Sequence, residues 1–448
     1  MPRKKLTIFL NALIGCGVLA CAGGSWLTFS ARAYAAAAGW FLGALFLAWS
    51  WRWQLYGKIA LFFTSLAILS LLYLSNLVLA LRAKSEPDAH YYAAQRLKIA
   101  REAGRPFDTR SIAQVVDDLR ARGVDAYPAV YPFLFTPANG LVDHGRRFFP
   151  LGGISRKTTV YCNECGDYTI YEADEHGFNN PPGVWSQKET DLFLLGDSFA
   201  QGACVKPAES LDGLLRAAGK SVVNVGFGGN GPLLELAGIV EYARYLQPKK
   251  VIWLYYEGND LTDLANEKKA PLLARYLAAD GYQQDLISRQ DAIDRAWIKV
   301  TAAEQQESVV PPPKTDPLEF LKPLELKELK RASRRLTFLF QEYVYRENPT
   351  LFSRIMAKAD RMVQSWGGKL YFVYLPSFFR YDHKAKVYPF NQKDLILASV
   401  RALGIPAVDF DQVIRQNGDP LSCFPFRTNG HYNPKGYALL ARTILDSW

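Results

Sequence analysis

The stretch LFLLGDSFAQG, residues 192–202, runs from apolar residues into Gly-Asp-Ser-Phe and then into small polar ones. An apolar run of this kind reads as a buried strand, and Gly196 and Gly202 permit a tight turn at its end. That turn would present the hydroxyl and the backbone N–H of Ser198. Similar apolar runs follow: SVVNV (221–225), KVIWLYY (250–256), KLYFVYL (369–375) and IPAVDF (405–410). Between them lie helical patterns, PLLELAGIVEYARYL (232–246) and KDLILASVRALG (393–404). Buried strands separated by helices predict an α/β fold, a parallel sheet of about five strands with helices on both faces. Residues 265–347 interrupt the alternation as a charged, mostly helical insertion broken by VVPPPKTDP (309–317). It reads as a lid, a partner site or a decoration.

In such sheets functional groups collect at the carboxyl ends of the strands. The second run ends in NVGFGGNG (224–231), the third in YYEGNDLTDL (255–264) with Asn259 just past the strand. Near the end of the chain stands NGHYNPKGY (429–437), where His431 precedes a helix that Pro434 can start. These segments supply the parts of acyl transfer: a serine nucleophile, a glycine backbone donor, an amide side-chain donor and an imidazole base. The other histidine after the serine, His383 in YDHKAK, reads as part of a solvated loop. Structural readings compete at single positions: Asn259 as a helix N-cap, and Gly226 or Gly228 in place of Gly229.

GDSF, Gly229 within GFGGN, GND at 258–260, and His431 resemble, in that order, the conserved blocks of the SGNH (GDSL-type) hydrolase superfamily. The resemblance covers about residues 190–448. YEADEHGFNNP (171–181) resembles the D-x-x-G-F-R-N lead-in of bacterial exopolysaccharide O-acetylation relatives. It implies an SGNH/flavodoxin-like three-layer α/β/α fold, Ser198 as nucleophile and His431 as general base. The oxyanion hole would be the N–H groups of Ser198 and Gly229 with the side-chain amide of Asn259. Asp197 would hold the turn. The family's aspartate, three or two residues before the histidine, is replaced by Thr428 and Asn429. Either another carboxylate, such as Glu257 or Asp260, reaches His431, or the site is a Ser-His dyad.

Ahead of this domain, Leu6–Ser30, Ala33–Trp51 and Ile59–Leu81 contain no charged residue and predict three transmembrane helices within residues 1–83. Arg3, Lys4, Lys5, Arg52 and Lys58 place the flanks they occupy in the cytoplasm, which exports everything after Leu81; Arg32, Arg82 and Lys84 run against this orientation. A cleaved signal peptide, or the lipoprotein-like LIGC at 13–16, is the rival reading of the first span. Residues 84–190 form a helical and extended lead-in, in which Ser111 caps a helix ending at Gly123. The formal charge of +10 contains no like-charge run, so nucleic acid is not an expected partner.

Cys162, Cys165, Cys204 and Cys423 lie in the exported part. CNEC (162–165) lacks the second ligand pair of a zinc site. Cys204, six residues after the serine, and Cys423, eight before the histidine, predict a disulfide clamping the two catalytic loops, with two separate thiols as the alternative. The composite expectation is a membrane-anchored, periplasmic or extracytoplasmic serine esterase or O-acyltransferase. It would act on acyl, foremost acetyl, esters of an envelope or extracellular glycan and need no metal or organic cofactor. A non-catalytic binding or assembly protein and a lipid-directed esterase are the alternatives.

Overall fold

A computed structural model describes residues 3–30, 34–83, 89–308, 348–382 and 392–448. The chain divides into two compact units, one at Met1–Glu86 with Thr315–Leu339, the other at Pro87–Lys314 with Phe340–Trp448. His383, the VVPPPKTDP elbow and the rest of the expected insertion from 309 to 347 lie outside the described residues.

The first unit holds helices Arg3–Ser30, Tyr34–Ser50 and Leu55–Ala83. Three helices stand where three spans were expected, but the expectation of three transmembrane helices needs correction. Among the described residues one segment, Leu55–Leu79, is long and apolar enough to cross a bilayer. The helix at Tyr34–Ser50 has 17 residues, about 26 Å at 1.5 Å per residue and short of the ~30 Å hydrocarbon layer. The first helix opens on Arg3, Lys4 and Lys5, and part of its apolar stretch lies outside the residues whose side chains are described. The side chains of residues 22–40 lie outside the described ones.

The second unit is built on a five-stranded sheet. Its strands are β1 (Leu192–Gly196), β2 (Val222–Asn224), β3 (Lys250–Tyr256), β4 (Lys369–Leu375) and β5 (Ala407–Asp409). They lie in the order β2-β1-β3-β4-β5, all parallel, with Gly196 opposite Leu254 across the central pair. Side chains alternate between two cores, as a strand's two-residue period requires. Phe193, Leu195, Trp253, Tyr255, Phe372 and Tyr374 enter one core, which helices Pro232–Gly238, Pro271–Ala278, Asn348–Gln364 and Lys393–Ala402 cover. Leu192, Leu194, Ile252, Leu254, Tyr371 and Val373 enter the other, under helices Leu211–Ala217, Phe410–Gln416 and Pro434–Ser447. The result is a three-layer α/β/α domain. The strand order reverses between β1 and β3, and crevices at such a switch point open at the carboxyl ends of the strands.

Residues 89–190 belong to this same unit. Helix Ile112–Ala121 begins at Ser111, whose side chain accepts from Gln114 N–H while Gln114 returns the bond as a capping box. Strands Ala126–Pro128, Thr158–Val160 and Ile170–Glu172 form a small mixed sheet. The last two are antiparallel, and the chain between them turns back at CNEC.

Candidate active site

The turn after β1 is set by glycine and a cap. Gly196 sits at φ +150°, where an added Cβ would lie 2.8 Å from the Leu254 carbonyl oxygen. Gly202 ends the short helix Ser198–Gln201 in the left-handed region at φ +80°. Asp197 caps that helix by accepting the Phe199 N–H at 2.9 Å. Its carboxyl therefore holds the turn, and burial pushes it up to about 6. Ser198 is the first residue of the helix, so its N–H has no partner within the helix.

The YEADEHGFNNP segment buttresses this turn. Asp174 accepts from the N–H groups of His176 and Phe178 and from the side chains of Asn180 and Trp185. So fixed, Asn180 exchanges bonds with the Asn224 backbone at 2.7 and 2.9 Å, and Asn179 donates to the Gln201 carbonyl at 2.8 Å. The Ser198 turn and the end of β2 are thereby tied to one loop.

At the far end of the chain, Asn433 caps helix Pro434–Ser447, accepting Gly436 N–H at 3.0 Å and donating to the Ser422 and Phe424 carbonyls. His431 stands two residues before this cap. Its Nε2 lies 2.8 Å from Ser198 Oγ. Residues distant in the chain thus meet at hydrogen-bonding length, the distance a general base needs.

The acid beside the histidine was not foreseen. Glu164, within CNEC, places Oε2 3.2 Å from His431 Nδ1 and accepts the His431 backbone N–H at 2.7 Å through the same oxygen. The turn that carries it is tight. Asn163 accepts the Gly166 N–H at 2.9 Å and donates to the Asp108 carbonyl, and Gly166 adopts φ +116°. Arg96 fastens the histidine loop by donating to the Asn429 carbonyl at 2.6 Å. Burial opposes the charged form of His431, but the Glu164 carboxylate outweighs it and raises the imidazole above its usual range. Burial likewise opposes ionisation of Glu164, and the imidazole holds the carboxyl below its usual value.

The other candidate acids are occupied elsewhere. Glu257 accepts from Ser377 N–H, Tyr374 and Arg380, and Asp260 accepts from Tyr256 N–H. Thr428 donates back to the Pro425 carbonyl.

Backbone hydrogen bonds separate the three glycines of GFGGN. Gly226 N–H is bound by Asn224 Oδ1 and Gly228 N–H by Gln201 Oε1. Phe227 and Asn230 N–H groups bond to the carbonyls of Gly196 and Phe227. Gly229 alone among these five shows no acceptor among the described residues, in a left-handed conformation at φ +78°. Asn259 precedes helix Asp260–Glu267 but makes no side-chain cap bond, and instead donates from Nδ2 to Asp263 Oδ2 at 2.8 Å.

The predicted Cys204–Cys423 disulfide is not formed. Cys204 pairs with Cys162, the two Cα atoms 5.0 Å apart. Cys162 stands at the base of the CNEC turn, and the nearby Thr169 hydroxyl donates to the Val205 carbonyl at 2.8 Å, so the turn lies alongside the loop after Ser198. Cys423 is a buried free thiol in the core under the last helix. Glu164, Cys204 and His431 bring one polar atom each to within 4.8 Å of one another. With Cys204 in a disulfide, two ligands remain, short of the three or four a zinc site uses.

No family model and no curated protein matches the chain. Among solved structures it is similar to a protein assigned to the G-D-S-L lipolytic family from Desulfitobacterium hafniense, at 12% identity and TM-score 0.29, covering 58% of this chain and 100% of that one. It is also similar to LAE5, an α/β hydrolase enzyme from the metagenome of Lake Arreo, at 12% identity and TM-score 0.31, covering 59% and 97%.

Proposed function

We propose that this chain is a membrane-anchored serine esterase or O-acyltransferase of the SGNH type, working through an acyl-serine intermediate with Ser198, His431 and Glu164 as its triad. The observation that carries the reading is the continuous contact from Ser198 Oγ through the imidazole of His431 to Glu164 Oε2. Glu164 keeps the proton of the neutral ring on Nδ1, leaving Nε2 free to accept. As Ser198 Oγ attacks the ester carbonyl, its proton passes to Nε2. The negative charge that develops on the carbonyl oxygen meets the N–H groups of Ser198 and Gly229 and the amide of Asn259. His431 then returns the proton to the departing alkoxide, and the alcohol leaves. Water, or a sugar hydroxyl in the transfer reaction, then attacks the acyl-serine carbonyl as its proton passes to Nε2; the bond from the acyl carbon to Ser198 Oγ breaks, and His431 returns the proton to Oγ.

The preference for acetyl esters of an envelope glycan follows from the resemblance to O-acetylation relatives and from the apolar helix at Leu55–Leu79. Detergent-solubilised full-length protein treated with a fluorophosphonate should be labelled at Ser198, and Ser198→Ala should not be labelled. Failure to label the wild type beside a labelled control esterase rejects the enzyme in favour of a binding module. A panel of esters of rising acyl length separates acetyl from lipid substrates. Release of acetate from an acetylated polysaccharide, or its transfer to a deacetylated one, identifies the acceptor.

A further inference from the structure

Helix Asp260–Glu267 turns three carboxyls toward the anion-binding side of the site. Asp260 Oδ2 accepts the Tyr256 N–H at the end of β3. Asp263 Oδ2 accepts Asn259 Nδ2. Glu267 accepts the N–H groups of Gly231 and Leu233 at 2.7 and 2.8 Å, fixing the loop that contains Gly229. One helix face thus supports two of the three donors assigned above to the oxyanion.

The middle contact decides an orientation. An asparagine amide presents a donor nitrogen at one end and an acceptor oxygen at the other, and only the nitrogen stabilises a developing anion. Asn259 Oδ1 is buried with no donor among the described residues, so the bonds given by Nδ2, to Asp263 at 2.8 Å and to the carboxyl of Asp197, select its orientation. The same amide bears on the carboxyl of Asp197, the residue before the nucleophile. We propose, resting on the acyl-transfer reading, that Asp263 is a positioning residue: by accepting one N–H of Asn259 it keeps the amide nitrogen turned toward Ser198 and the carbonyl oxygen away.

The surroundings of Asp263 set the charge state in which it does so. It faces Asp260 and Glu267 on its own helix, Glu235 on helix Pro232–Gly238, and Asp197 after β1. Glu235 is 1% exposed and neither of its oxygens has a donor among the described residues. A buried carboxylate without a partner is costly enough that the group stays protonated. Burial, with Glu267 and Asp197 adding to it, pushes Asp263 up to about 8. At neutral pH Asp263 is a neutral acid whose carbonyl oxygen accepts from Asn259. Once it ionises, its negative charge lies behind the oxyanion and opposes its formation.

The experiment is kcat and KM for p-nitrophenyl acetate, from about pH 5 to about pH 10, with full-length wild type, Asp263→Ala and Asp263→Asn. The wild type should lose kcat in alkali, with the fall centred near pH 8. Asp263→Ala should lower kcat at neutral pH by about 10- to 100-fold with KM within about twofold, because only the transition state meets the misplaced amide. Asp263→Asn offers the same accepting oxygen without a charge. It should rescue most of the kcat lost in the alanine variant and abolish the alkaline fall.

Alanine and wild-type kcat agreeing within about twofold would overturn the proposal. So would an asparagine variant that keeps the wild-type alkaline fall, a comparison that stands even where the alanine variant does not fold. A wild type inert to both ester and fluorophosphonate overturns the acyl-transfer reading, and this proposal with it. An active, labelled wild type with either adverse result for the variants overturns the positioning role alone.

Discussion

Exchanging Glu164 for glutamine tests the proposed triad at its least anticipated member. The carboxylate oxygen now takes two bonds, the His431 backbone N–H at 2.7 Å and Nδ1 at 3.2 Å. A glutamine oxygen can keep the first while its NH2 turns to Nδ1. That makes Nδ1 the acceptor and moves the ring proton to Nε2, opposite Ser198 Oγ, where a base must have a lone pair. A wrong tautomer of this kind costs about 10⁴ in kcat, or ~5.5 kcal/mol at ~1.36 kcal/mol per decade. The pH profile moves as well. Burial pulls the His431 imidazole down and Glu164 outweighs it. Without the carboxylate burial prevails, so the acidic limb of kcat/KM should shift to lower pH while the plateau falls. Ester hydrolysis by detergent-solubilised full chain, with circular dichroism as the folding control, reads both effects. A folded Glu164→Gln protein with kcat within tenfold of wild type and an unmoved acidic limb would refute the triad.

Peptide mapping without reduction should recover Cys162 joined to Cys204, with Cys165 and Cys423 alkylatable after unfolding. Reduction, or the Cys162→Ser/Cys204→Ser pair, should cost about 2–4 kcal/mol of stability. It should also cost activity, since Glu164 lies two residues from Cys162; unchanged activity after verified reduction removes the disulfide from the site. Gly229→Ala should destabilise by about 2 kcal/mol through its left-handed backbone. The new Cβ, 2.2 Å from the Phe133 ring, should shift the donor and lower kcat by at least about tenfold; wild-type kcat would move the oxyanion hole elsewhere. Asp263 and Glu267 are raised by burial to about 8 and about 7 from ordinary values near 4, so the folded state keeps protons that the unfolded chain releases. Their stabilisation is complete below the unfolded values and is lost as pH rises through about 7 and about 8. Stability should therefore fall on the order of several kcal/mol from mild acid to alkali, less so in the Asp263→Asn/Glu267→Gln double variant; parallel curves of melting temperature against pH for the two proteins would refute it.

The sheet was legible because its residues carry the signal locally. KVIWLYY and KLYFVYL became β3 and β4 over the same residues, since runs buried on both faces need no partner in the pattern to be recognised. The outer strands β2 and β5 shrank to three residues each, where pairing on one side gives out. The helix expected over 232–246 formed with a wider turn at Ile239–Ala243. Hydrophobic spacing sets which face of a helix is buried but not the hydrogen-bond register within it. In the first unit an uncharged run predicts a span, whereas crossing requires helical length, and Tyr34–Ser50 has 17 residues.

The site divides along the same line. Ser198, Gly229, Asn259 and His431 each follow a strand or precede a helix, so local pattern fixed their place at the sheet edge, and Ser198 and His431 meet there. Glu164 comes from the small lead-in sheet, outside the alternation of strands and helices that locates the rest, and no spacing from His431 could find it. What the geometry asks of the acid is an acceptor at Nδ1, and a hairpin tip supplies it as well as the turn before the histidine does, provided something holds the hairpin. CNEC contains both parts: Cys162 fastens the turn to the loop after Ser198, and Glu164 projects from it. The cysteine spacing and the lack of an aspartate two or three residues before His431 were each visible in the sequence. Joining them required a pairing between Cys162 and Cys204 that the four cysteines after residue 89 leave undetermined.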